Sequence, residues 1–191
     1  MTSLTISNSI TSISRYTFYN CEKLTSAIIP ESVTEIGESA FQNCLGMTSL
    51  TIGESVTSIN LYAFSGCYTL SSVNIPESVT EIGDGAFETC SNLTSLTIGN
   101  SVTSIGDSAF LDCSGLTSVT IPNSVTEIGN EAFYGCSGLT KVEISDIAAW
   151  CNIRFGNSTS NPLCNAKHLY LNETEVTNLV IPNSVTSIGD Y

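Results

Sequence analysis

Eight cysteines, one histidine and eighteen carboxylates are the residues of this 191-residue chain that could do chemistry. Six of the cysteines form a ladder: Cys21, Cys44, Cys67, Cys90, Cys113 and Cys136 stand 23 residues apart. A zinc or redox centre usually takes two thiols close in sequence, as in C-x-x-C, and no such pair occurs. A disulfide between neighbouring rungs needs Cβ atoms turned toward each other, whereas side chains in register along a stack point the same way. The ladder therefore reads as small buried thiols packed under Phe and Leu. Cys151 and Cys164 lie off it, and a disulfide between them is open in an oxidising compartment.

Other chemistry fares no better. A nucleophilic triad needs a base beside a Ser or Cys. Only His168 offers one, in an expected strand, and nothing singles out one serine among many. It reads as a surface or interface residue. Glu31, Glu54 and Glu77 recur at 23 residues, and stacked carboxylates could serve acid–base work or weak calcium binding. No loop of alternating Asp ligands and no phosphate-cradling Gly loop accompanies them, so they read as a solvated face. We expect no catalytic residue, metal site or cofactor, and no enzyme.

The same period organises everything else. Phe18, Phe41, Phe64, Phe87, Phe110 and Phe133 form a second ladder, and Ile13, Ile36, Ile59, Ile82, Ile105 and Ile128 a third. One complete unit runs from Cys113 to Gly135, CSGLTSVTIPNSVTEIGNEAFYG. Val119 and Ile121 alternate as a strand does, Pro122-Asn123-Ser124 signals a turn, and Val125 and Ile128 mark a second extended piece. The stretch 130–134 suits one short helical turn, capped by Asn130 and ended by Gly135. Such a unit cannot bury its apolar stripe alone, but stacked units can. At about 4.8 Å per strand, six units and partial ends make a rod of roughly 35–40 Å. The fold class is a repeat solenoid of short parallel strands, mostly β with minor helical or 3-10 turns. A 46-residue super-period also shows, in Pro30, Gly53, Pro76, Gly99 and Pro122 after the strand Ile.

Charge narrows the partners. Eighteen acidic against five basic residues give −13, which repels phosphate backbones and anionic membranes. No apolar run reaches the roughly 20 residues a membrane helix takes. Nucleic acid and membrane insertion are not expected.

The consensus LxxVxIPxSVTxIGxxAFxxC resembles the BspA-like leucine-rich repeats. Its signature strings are IPESVTEIG at Ile29–Gly37 and Ile75–Gly83, and IPNSVTSIG at Ile181–Gly189. The resemblance implies a right-handed solenoid, an extracellular or cell-surface place, and adhesion or host interaction. It carries no catalytic residues across. The whole chain, 1–191, reads as one solenoid, with regular repeats over 1–144, an irregular insertion over 145–175 and resumption over 176–191. Both ends read as truncated, so fraying of residues 1–20 and 182–191, or end-to-end self-association, is expected. Within the insertion, Lys167–Leu171 and Val176–Ile181 read as a hairpin around Asn172-Glu173-Thr174.

Alternation turns Ser49, Thr51, Ser72, Asn74, Ser95, Thr97, Ser118 and Thr120 to solvent, then Lys141 and Glu143. Recognition favours Trp, Tyr and Arg, so this face gains anchors only near the irregular segment, at Arg154, His168 and Tyr170. Trp150 and Phe155 read as core. These thirteen residues are the candidate interaction surface for a protein or glycan ligand. A structural spacer without a specific ligand is the alternative.

Overall fold

The structure, a computed structural model, describes residues 2–189. Met1, Asp190 and Tyr191, part of the ends expected to fray, lie outside the described residues. Each rung contributes one strand to each of two walls. The first wall holds β1 (Ser3–Thr5), β3 (Ser26–Ile28), β5 (Ser49–Thr51), β7 (Ser72–Asn74), β9 (Ser95–Thr97), β11 (Ser118–Thr120), β13 (Lys141–Ile144) and β15 (Leu169–Leu171). The second is a continuous seven-stranded parallel sheet of β2 (Ser12–Ile13), β4 (Glu35–Ile36), β6 (Ser58–Ile59), β8 (Glu81–Ile82), β10 (Ser104–Ile105), β12 (Glu127–Ile128) and β14 (Arg154–Phe155). In the regular rungs strand residues pair with their counterparts 23 residues on, as Ser26 with Ser49 and Ile82 with Ile105, except in the first wall, where the ladder is interrupted between β5 and β7 and between β9 and β11. The repeat period is thus the pitch of the solenoid. No helix among the described residues is long and apolar enough to cross a membrane.

Between the walls lies one core. Val119, Ile121, Val125, Ile128 and their counterparts between residues 24 and 144 point inward and are buried, Leu50 alone only partly. The phenylalanines form a continuous stack from Phe18 to Phe133, with centroids 5.0–5.6 Å apart and planes within 24°. Each offset pair contributes roughly 0.5–1.5 kcal/mol beyond area burial. The five buried ladder cysteines, Cys44 to Cys136, each donate a thiol hydrogen bond to the Phe carbonyl of the preceding rung, at 3.2–3.4 Å. That weak donor explains a thiol where an alanine would also fit.

The arc that carries Phe and Cys departs from the simple helical turn its sequence suggests. In one rung the N–H groups of Ser39, Phe41 and Asn43 donate forward to Leu61, Ala63 and Ser65. Those of Ala40, Gln42 and Cys44, in between, donate back to Gly37, Ser39 and Phe41. The arc is therefore a run of i→i−3 turns laced to the next rung, where an α-helix would close i→i−4 bonds. Left-handed residues two before and two after each Phe set its shape: Ser39 and Asn43, Gly85 and Thr89, Ser108 and Asp112, Glu131 and Gly135. Asn130 is no cap within its own rung. Its N–H donates to Asp107 Oδ1 of the rung before, at 2.6 Å.

The segment 145–175 contains a rung of its own. β14 pairs with β12 and β15 with β13 at a 27-residue step. The four extra residues are taken up at helix α1 (Ile147–Cys151), which Asp146 caps by accepting the N–H groups of Ala148 and Ala149. In the arc that follows, helix α2 (Leu163–Ala166) replaces the usual turns. Asn165 Nδ2 donates to the Phe133 carbonyl at 2.9 Å, the bond a thiol makes elsewhere. Trp150 and Phe155 meet edge to face at 5.6 Å and pack against the core.

β15 then turns back into β16 (Thr174–Glu175), its antiparallel partner. The turn is two residues, Asn172 and Glu173, both with positive φ (48° and 65°), the pattern of a type I′ hairpin. The expected return strand at Val176–Ile181 does not form, and residues 176–189 contain no strand. β16 already occupies the sheet edge beside β15. Leu179 and Ile188, whose counterparts Val119 and Ile128 are buried, are 49% and 65% exposed.

Candidate interaction surface

The first wall places its outward side chains as alternation requires. Ser49, Thr51, Ser72, Asn74, Ser95, Thr97, Ser118 and Thr120 are all exposed. Ile28, at the position of Thr51, is the apolar exception. Other threonines line the corners and serve the fold. Thr48 donates its hydroxyl hydrogen to the Thr25 carbonyl, and Thr57, Thr80, Thr103 and Thr126 each donate to the matching threonine one rung back.

At the β13–β15 end the face changes character. Ser118 registers with Lys141, and Thr120 with Glu143, which in turn faces Tyr170. Lys141 Nζ lies 2.5 Å from Glu143 Oε2 and 4.5 Å from the Tyr170 ring centroid, within cation–π range. The other oxygen of Glu143 accepts the backbone N–H of Glu173 in the hairpin turn at 2.5 Å. One carboxylate thus joins the wall to the turn. Burial alone would raise the Glu143 pKa; the Lys141 ammonium and the Glu173 N–H outweigh it and hold the carboxyl below its usual range. Bonded to Glu143, Lys141 is pushed above the usual lysine value. Beside them runs a shallow groove bordered by Thr120, Lys141, Glu143, Ser145 and Glu173.

The remaining candidates sit elsewhere. The exposed His168 lies at the start of the hairpin, its Nδ1 2.6 Å from Glu175 Oε1. Arg154 belongs to the other wall, where Nη2 pairs with Glu127 Oε2 at 2.6 Å. The structure therefore gathers Lys141, Glu143 and Tyr170 with the hydroxyl rows, keeps His168 at the hairpin, and assigns Arg154 to the second sheet. Cys151 and Cys164 carry free thiols, the first buried, the second donating to the Ser158 carbonyl at 3.0 Å.

The exposed tyrosines of the arc, Tyr16, Tyr19, Tyr62, Tyr68 and Tyr134, were not among the candidates. Reading the arc as a helical turn hid them, because a helix would have turned some of those positions inward. A signal was present: Tyr16 and Tyr62 stand two before a Phe, where other rungs have Ser, Gly or Glu.

The family model of the BspA type leucine rich repeat region matches the chain in six copies, over residues 1–117 and 82–161. Among solved structures, the T. pallidum leucine rich repeat protein shares 30% identity over 71% of this chain, with a TM-score of 0.68. A leucine rich cell surface protein from Faecalibacterium prausnitzii shares 33% over 73%, TM-score 0.56. A leucine-rich repeat protein from Eubacterium ventriosum shares 28% over 69%, TM-score 0.63. The chain spans 66%, 44% and 36% of those proteins respectively. No curated protein matches it.

Proposed function

The chain belongs to the BspA-type leucine-rich-repeat family, and from that premise we propose that it is a non-enzymatic interaction or adhesion module, binding a protein or glycan ligand outside the cell. The observation that carries this reading is the Lys141–Glu143–Tyr170 cluster at the end of the hydroxyl face. Its cation, carboxylate and aromatic ring are held by each other and by the hairpin turn, so little ordering entropy remains to be lost on binding. Tyrosine is also among the side chains that dominate recognition energy. A surface location is supported by one similar protein being a leucine rich cell surface protein.

The test is a panel of immobilised extracellular proteins and glycans, probed with the native chain and with the double variant Lys141→Ala/Tyr170→Ala. Ligand retention that falls about tenfold in the variant, with the fold unchanged by circular dichroism, is the expected result. The spacer reading is favoured by the flat rows of Ser and Thr. It requires that neither protein bind anything on the panel.

A further inference from the structure

The first wall is not one sheet. It divides into three blocks, β1–β3–β5, β7–β9 and β11–β13–β15–β16, while the second wall runs unbroken through seven strands. The two breaks fall at the same place in the 46-residue super-period. At each, a rung with Gly after its strand isoleucine is followed by one with Pro: Gly53 by Pro76, and Gly99 by Pro122. The opposite steps, Pro30 to Gly53 and Pro76 to Gly99, are closed. So is the step from Ser7 to Pro30, where no glycine stands.

Backbone bonds follow the same alternation. Ile29, Ile75 and Ile121 donate their N–H groups to Thr51, Thr97 and Glu143 of the next rung, each at 2.9 Å. At the matching positions beside the breaks, the N–H groups of Ile52 and Ile98 make no backbone hydrogen bond among the described residues. The N–H groups of Thr48, Thr94 and Thr140 donate to the carbonyls of Thr25, Ser71 and Thr117 at 2.9 Å, and those of Ser71 and Thr117 have no such bond across the breaks. Close approach accounts for the closed steps. A Cβ on Gly53 would lie 2.7 Å from the Pro30 carbonyl oxygen, and one on Gly99 2.4 Å from that of Pro76. Glycine therefore lets each of these rungs settle onto the Pro rung before it. Beside the breaks the cover is thinner: Ile52 and Ile98 are each 6% exposed, against at most 2% for Ile29, Ile75 and Ile121.

The other sides of the solenoid stay joined at both breaks. β6 pairs with β8, and β10 with β12. In the arc, Tyr62, Phe64 and Gly66 donate to Asp84, Ala86 and Glu88, and Ser108, Phe110 and Asp112 to Asn130, Ala132 and Tyr134, all at 2.8 Å. The Phe stack crosses both breaks with centroids 5.3 Å apart.

We propose that the two breaks are hinges: the three blocks of the first wall swing apart about the second wall and the arc, so that this face changes curvature along two fixed lines. A hinge needs one side that holds and another with little to break. Widening either gap costs no protein hydrogen bond, because the N–H groups there are left to water. Within each block surface groups keep their spacing. Ser49 and Thr51 lie on one side of the first hinge, and Ser72 and Asn74 on the other. Lys141, Glu143 and Tyr170 all lie in the last block, so hinge motion leaves that cluster intact whether or not it holds a ligand.

Two measurements on the whole chain test this. Amide hydrogen exchange at single-residue resolution reads the bonds. Ile52 and Ile98 should exchange about tenfold or more faster than Ile29, Ile75 and Ile121, the ratio set by one hydrogen bond of ordinary net strength. Nitroxide pairs read the motion, in a Cys21→Ser/Cys164→Ser background that removes the two thiols not buried. Thr51→Cys/Asn74→Cys spans the first break, and Asn74→Cys/Thr97→Cys spans a closed step. All three positions are exposed, so the fold should tolerate the labels. Dipolar spectra should give a longer and broader distance distribution across the break than across the closed step. Equal protection of the five isoleucine amides, or a distribution across the break no broader than the other, overturns the proposal.

Discussion

A thiol that donates to a carbonyl deep in an apolar stack is a donor first and a nucleophile hardly at all. Burial pushes the Cys44 and Cys136 thiols up to about 12 and those of Cys67, Cys90 and Cys113 well above the ordinary value. Reactivity belongs to the thiolate, so at pH 8 a maleimide should label the exposed Cys164 quickly and these five only after unfolding. Mass spectrometry after denaturation should count eight free thiols; six would mean that Cys151 and Cys164 are bonded. Glu143 gives a second prediction. Its depressed pKa means that its stabilising effect is complete above the usual carboxylate range and is lost as pH falls through the lower folded value. Glu143→Gln should therefore lower stability at neutral pH and flatten the acid limb of a melting-temperature profile. A variant whose acid limb matches the native one would show that the Lys141 and Glu173 contacts contribute nothing. At this scale the sequence was partly legible. Period and residue type gave the burial of the Cys and Phe ladders except at the first rung, where Cys21 and Phe18 are only partly covered, and alternation gave the exposure of Ser49 through Thr120. The bond from Glu143 to the hairpin turn joins residues 30 apart, across a turn whose closure no local pattern specifies.

The arcs and the irregular rung show what elements add. Phe87 lies between Phe64 and Phe110 and touches water nowhere. Phe87→Ala should cost about 3–5 kcal/mol, the range for a buried aromatic cut to a methyl. Tyr134→Ala, on the arc two rungs on but exposed, should stay within roughly 0.5 kcal/mol. Chemical denaturation of the two side by side checks both. In the irregular rung Asn165 satisfies the Phe133 carbonyl that lacks a thiol donor. Asn165→Leu should lose about 1–3 kcal/mol if that acceptor is left dry. The extended pieces, the 23-residue register and the Asn172–Glu173 turn region could be read from apolar spacing and turn residues. Two things could not. Asn130-Glu131-Ala132-Phe133-Tyr134 has the composition of a capped helical turn, and only the backbone bonds to neighbouring rungs convert it to linked turns. The segment 145–175 looks aperiodic because α1 shifts its register by four residues, yet β14 and β15 still pair as rungs.

Taken whole, the molecule is a row of nearest-neighbour contacts. Its stability should follow the number of well-stacked rungs more than any single site. Such a scaffold holds surface groups rigidly and far apart, which suits recognition by preorganised patches. Here the charged and aromatic patch falls where the row changes, at the Lys141–Tyr170 cluster. The uniform Ser and Thr rows run up to it along the first wall. The most direct test of the central claim, that this array binds through the end where its face becomes charged and aromatic, is surface plasmon resonance against the extracellular ligand panel. The native chain and Lys141→Ala/Tyr170→Ala are compared at equal concentration. The account predicts at least one ligand held by the native chain and bound about tenfold more weakly by the folded variant. Equal binding by the two proteins, or no ligand held by the native chain, would contradict it.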